Sequence, residues 1–121
     1  MKNIDGIYRV ELLGPYGWER FSTAFIDGGE FRSASSEHFT AGSCTADGEG
    51  FRMRGRMTRY VDNRALFGRS ELRGLPIQFN GVIRDGIIDG EATVVDDARR
   101  SLRFRLARLA LPDGGGGRRT A

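Results

Sequence analysis

The dipeptide Asp-Gly occurs six times, at 5–6, 27–28, 47–48, 85–86, 89–90 and 113–114. Asp-Gly supplies the positive φ angles that tight hairpin turns require. Between the first five copies lie short runs in which apolar and polar residues alternate with period two. That is the pattern of half-buried antiparallel strands. The spacing leaves room for strands and turns and for no long amphipathic helix.

The pattern predicts eight strands. The first, GIYRVELL, places Tyr8, Val10 and Leu12 on one face. GPYGW is a loop, and RFSTAFI follows with Phe21, Thr23 and Phe25 together. DGG turns the chain into EFRSA; HFTAGSCTA is the fourth strand, and DGEG turns it into FRMRGRMTRY. Residues 61–69 form a longer loop. The sixth strand lies within SELRGLPIQFNG, where Pro76 implies an edge, a bulge or a break. IRDGII is a hairpin, leading into IIDGEATVV with Ile88, Gly90, Ala92 and Val94 inward. DDARR turns into SLRFRLARL, with Leu102, Phe104 and Leu106 inward.

Strands with one apolar face each must hide it, either in two packed sheets or in a closed barrel. Closure also removes exposed edges, and at this strand number it leaves an interior filled by side chains or just wide enough for one small ligand. The expected fold is therefore all-β: a single eight-stranded antiparallel up-and-down barrel with little helix. At 121 residues the chain suits one domain. The barrel is placed in residues 1–110, and residues 111–121 are read as a flexible Gly-rich tail.

FRMRGRMTRY concentrates positive charge. Alternation puts Phe51, Met53, Gly55 and Met57 on one face and Arg52, Arg54 and Arg56 on the other. The eighth strand repeats this, with Arg103 and Arg105 outward, and Glu91 on the seventh is an outward cross-strand partner. The arginines thus read as the solvated face of an amphipathic sheet. The aromatics of these two strands sit mostly on the opposite face, away from any base-stacking position. Residues 1–50 carry four basic and eight acidic residues, and 51–121 carry fifteen and eight, for a net +3. Two of the positive charges are tail residues Arg118 and Arg119. No specific nucleic-acid partner is expected.

The chemistry of catalysis is sparse. His38 is the single histidine and is expected at the rim or surface. Cys44 is the single cysteine, so no intramolecular disulfide forms, and it reads as a small core residue. One Cys and one His do not build a zinc site. No G-x-S-x-G elbow occurs. Asp89, Glu91, Asp96 and Asp97 cluster by sequence, but turn chemistry explains Asp96 and Asp97. No enzyme activity, cofactor or metal is expected. No apolar run has the length of a signal peptide or a membrane helix, so the expectation is a cytoplasmic protein without membrane contact.

DGIYRVELL, FIDGGEF, LFGRSELRG and FNGVIRDGIIDGEATV, in this order and spacing, resemble the GrlR-type negative regulators of type III secretion. The resemblance covers about residues 5–109. It implies a lipocalin-like bacterial barrel that forms a homodimer and inhibits by binding a helix-turn-helix transcription activator. It also implies that an acidic run on an exposed strand-to-strand turn makes the contact. The matching stretch here is TADGEG, residues 45–50, where Asp47 and Glu49 are acidic and Gly48 and Gly50 interrupt them.

Two functions stay open on the sequence. One is a regulatory protein-binding module with Asp47 and Glu49 at the contact. The other is a carrier of a small apolar ligand, with Tyr8, Phe21, Phe25, Met53 and Met57 lining the barrel interior.

Overall fold

Consecutive strands pair antiparallel along the whole chain: β1 (Gly6–Gly14), β2 (Gly17–Asp27), β3 (Glu30–Ala34), β4 (His38–Asp47), β5 (Gly50–Arg59), β6 (Leu75–Arg84), β7 (Ile87–Val94) and β8 (Asp97–Ala110). β8 returns to pair with β1, closing an eight-stranded barrel. The structure is a computed structural model that describes residues 3–14, 16–60 and 74–111. There is no helix among the described residues. The expected loop at 61–69 and nearly all of the expected tail lie outside them.

Three Asp-Gly pairs make the turns expected of them, with Gly28, Gly48 and Gly86 at φ 58, 62 and 78°. Asp85 joins Gly86 in the left-handed region at φ 53°, which suits a two-residue hairpin turn whose twist matches its strands. Asp5–Gly6 instead leads into β1, and Asp89–Gly90 lies within β7, where Gly90 pairs with Gly81.

The core is the inner face of the alternation. Tyr8, Val10, Leu12, Phe51, Met53, Met57, Ile88, Ala92, Val94, Phe104 and Leu106 are all buried. Four phenylalanines cross the centre of the barrel. Phe31 meets Phe79 at 5.7 Å between ring centroids, Phe79 meets Phe104 at 4.6 Å, and Phe104 meets Phe51 at 6.4 Å. These rings come from β3, β6, β8 and β5, so they tie opposite walls together. Such tilted contacts add roughly 0.5–1.5 kcal/mol per pair beyond the burial of the rings.

Strand β2 faces the other way from its expectation. Ser22, Ala24 and Ile26 point inward, while Thr23 is exposed and Phe25 is 55% exposed. Both faces of this strand carry apolar residues, so the alternation alone was ambiguous. The neighbours decide it: Ala24 lies opposite Tyr8, where a small residue leaves room for the ring, and Phe25 lies between Ile7 and Arg32 on the outside. A bulge sets Phe21 apart, because Val10 pairs with Ser22 and Glu11 with Arg20. Phe21 is half-buried against the core.

Pro76 is not on an edge, since β6 pairs with both β5 and β7. It is the second residue of the strand, where a missing N–H costs little, and its carbonyl still accepts the Val95 N–H at 3.1 Å. β2 begins earlier than expected, so that Trp18 belongs to the sheet rather than to a loop. β6 runs on to Arg84 and β8 starts at Asp97.

Candidate functional site

One end of the barrel carries the N-terminal approach to β1, the β2–β3, β4–β5 and β6–β7 turns, and the end of β8. The segment before β1 packs across this end. Ile4 is buried, its carbonyl accepts the Tyr8 hydroxyl at 2.7 Å, and Asp5 Oδ1 accepts the Gly28 N–H at 3.1 Å. Arg108 holds the same segment, donating to the Asn3 carbonyl at 3.1 Å and to the Tyr8 hydroxyl oxygen at 3.3 Å. Burial pushes the Tyr8 phenol above its ordinary range, against the opposing pull of Arg108. Tyr8 is thus a fully engaged structural residue. Beside it, a groove of about 480 Å³ runs between this segment, the β2–β3 turn and Ala46.

The Cys44 thiol faces the same region from β4. Burial pushes it up to about 11, with Asp5 adding to the rise. A thiol held protonated in this way is a poor nucleophile.

Toward the other end the interior turns polar. His38, expected at the rim or surface, is 1% exposed, because the inward face of β4 runs His38, Thr40, Gly42, Cys44 and Ala46. Its ring packs 5.1 Å from that of Phe21. Its register partner on β5 is Arg59, which is only 3% exposed. Ser22 and Thr40 are buried with them. Sequence reading stopped the inward series of β5 at Met57. One more step of the same alternation reaches Arg59.

Of the proposed cavity residues, Tyr8, Met53 and Met57 are buried on the inner face and Phe21 partly so. Phe25 is on the outer surface and lines no interior. Asp47 and Glu49 are exposed on the β4–β5 turn, as read from the sequence. Asp47 also borders a smaller groove with Thr45, Arg52 and Asn80.

The outer face divides into two electrostatic regimes. Across β1, β7 and β8 several charges compensate one another. Glu11 lies between Arg9 at 3.0 Å and Arg105 at 3.1 Å, and Arg105 stacks over the Trp18 ring at 4.0 Å. Arg103 lies opposite Glu91 in register and 3.9 Å from Asp89. On β5 the pattern differs. Arg52 sits between Thr45 and Asn80, and Arg54 between Ser43 and Gln78. Both arginines are exposed, and neither forms an ion pair with a described residue. These six side chains line a groove of about 640 Å³ across β4, β5 and β6. The sequence showed that these arginines face outward. It did not show that their neighbours are uncharged, because β6 could not be placed in register from its own residues.

Compared with models of known protein families and with curated proteins, the sequence matches none.

Proposed function

We propose that this protein is a regulatory protein-binding module. In this reading it acts as a homodimer that holds a transcriptional regulator of the helix-turn-helix kind and lowers its activity. The observation that carries the reading is the distribution of unused groups. The interior is crossed by the Phe31–Phe79–Phe104–Phe51 rings and closed at one end by Ile4 and Tyr8. Uncompensated charge and exposed apolar side chains lie outside, among them Arg52, Arg54, Asp47, Glu49, Phe25 and Leu109. A sheet closed on itself offers no edge for strand addition, so a partner meets an outer face or the turns. The GrlR-type resemblance supports the same reading. Exposed Phe25 on β2 and Leu109 on β8 flank β1, and we assign this face to the second copy.

Capture tests the reading. A tagged bait incubated with extract of the source organism is expected to retain one defined DNA-binding regulator, and adding the bait is expected to lower transcription driven by that regulator. Retention of no protein, together with an apolar small molecule on the bait, would replace this reading with that of a carrier.

A further inference from the structure

We infer that the outer face of β4, β5 and β6 is a docking surface for an extended acidic peptide segment with carboxylates on alternate residues. The inference rests on the proposed protein-binding function and names the chemistry of the segment that is bound.

The face is built of two matching rungs. In one, Thr45, Arg52 and Asn80 stand side by side across the three strands; in the next, Ser43, Arg54 and Gln78 do the same. Each rung presents a hydroxyl, a guanidinium and a carboxamide in the same order. Two residues along a strand span about 6.6–6.8 Å, so the guanidiniums repeat at that interval. An extended peptide lying along β5 repeats its side chains on one face at the same interval. Carboxylates at positions i and i+2 therefore come into register with Arg52 and Arg54. Arginine takes a carboxylate through two parallel N–H donors, which fixes orientation as well as adding affinity. The flanking hydroxyls and carboxamides donate and accept, which suits the main-chain N–H and C=O groups of the incoming segment.

Charge complementarity favours a short acidic segment over a nucleic acid. The two rungs are bordered by carboxylates: Glu30 lies beyond Ser43 on β3, Glu91 lies beyond Asn80 on β7, and Asp47 stands at the turn end of the groove. A continuous chain of phosphates crossing this face meets those carboxylates, whereas two or three carboxylates confined to the groove do not. Glu30 is itself engaged, 2.8 Å from Arg32. Phe39 and Tyr60 are exposed and stack on each other at 5.9 Å. Phe39 is in register with Thr58, four residues along β5 from Arg54, so the ring pair lies outside the two rungs.

The test is an NMR titration of the labelled protein with three probes: a peptide of repeating Thr-Glu, a peptide of the same composition repeating Glu-Glu-Thr-Thr, and an oligodeoxythymidylate. The second peptide has no carboxylates at i and i+2. The Thr-Glu repeat is expected to give saturable shifts at Arg52, Arg54, Gln78 and Asn80, with affinity at least about fivefold above the Glu-Glu-Thr-Thr repeat. Arg52→Gln and Arg54→Gln are each expected to weaken it by roughly tenfold, the scale of one charge-assisted contact. Arg103→Gln, on the compensated face, is expected to change it less than about twofold. Equal affinity for the two peptides, or no saturable binding, overturns the inference. So does tighter binding of the oligodeoxythymidylate at the same residues, which makes the face a single-strand nucleic-acid surface. The bait described above separates the two levels. A partner retained equally by the wild type and by the Arg52→Gln/Arg54→Gln variant defeats this docking surface and leaves the protein-binding module standing.

Discussion

Gly42 on β4 and Gly55 on β5 oppose each other so closely that a Cβ on Gly42 would lie 2.1 Å from the Arg54 carbonyl oxygen. Gly81 and Gly90 repeat the arrangement between β6 and β7, where a Cβ on Gly90 would lie 1.9 Å from the Asn80 carbonyl oxygen. Both pairs face inward, and backbones this close mark the sites where the sheet bends to close. The arginine groove spans the strands between the two bends. Gly42→Ala is therefore expected to destabilise by roughly 1–3 kcal/mol or more, since main chain rather than a flexible side chain must give way. Gly48→Ala is a different case. Nothing lies near its Cβ position, and its cost comes from φ 62° alone, about 1–2 kcal/mol. Urea unfolding checks both values. A Gly42→Ala loss smaller than that of Gly48→Ala would contradict the packing argument.

Phe104 and Arg103 are adjacent on β8 and face opposite ways. Phe104 is fully buried between Phe79 and Phe51, and Arg103 is exposed. Phe104→Ala is expected to cost roughly 3–5 kcal/mol, and Arg103→Ala less than about 1 kcal/mol. Equal losses in chemical denaturation would mean that the register of β8 is reversed.

Alkaline stability follows from two buried acids. Both Cys44 and Tyr8 have raised pKa values in the folded state, Cys44 to about 11 from an ordinary 9.0. The folded chain thus holds these protons more tightly than the unfolded chain. Their contribution is complete below about pH 9 and is lost as pH rises through 11, on the order of 2 kcal/mol for the thiol. Cys44→Ala is expected to flatten this decline. A stability profile from pH 8 to 11 unchanged by Cys44→Ala would show that the thiol does not drive it.

Much of this architecture was legible in the chain. Strands β3, β4, β5 and β7 were readable almost to the residue, because their alternation is unbroken and Asp-Gly turns bound most of them. The inward face of β5 and the solvent position of its arginines followed from the same period. The strand in β2 was legible but its inward face was not, because Phe21 and Phe25 compete with Ala24 and Ile26, and the bulge that leaves Phe21 unpaired shows only in the pairing with β1. His38 was misplaced although the alternation of β4 sets it on the same face as Cys44, because a lone imidazole at a strand start reads as polar and solvated. The groove could not be seen either: its chemistry lies in which residues of β4 and β6 stand beside Arg52 and Arg54, and pairing between strands is a property of the closed sheet.

The β4–β5 turn offers a test of recognition that leaves the fold alone. Asp47 and Glu49 are exposed, while the turn geometry rests on Gly48. Asp47→Lys with Glu49→Lys is expected to preserve the circular dichroism spectrum and to slow association with the captured regulator most strongly at low salt. An association rate unchanged at low salt would remove this turn from the contact.

Native mass spectrometry of gently purified protein tests the central claim most directly, because it reports the number of copies and any bound molecule at once. The account predicts twice the mass of the chain, with no small-molecule adduct. It also predicts that Phe25→Asp, on the face assigned to the second copy, reduces the complex to single chains. A single chain carrying a stoichiometric apolar adduct would contradict it, and would place the function inside the barrel rather than on its outer face.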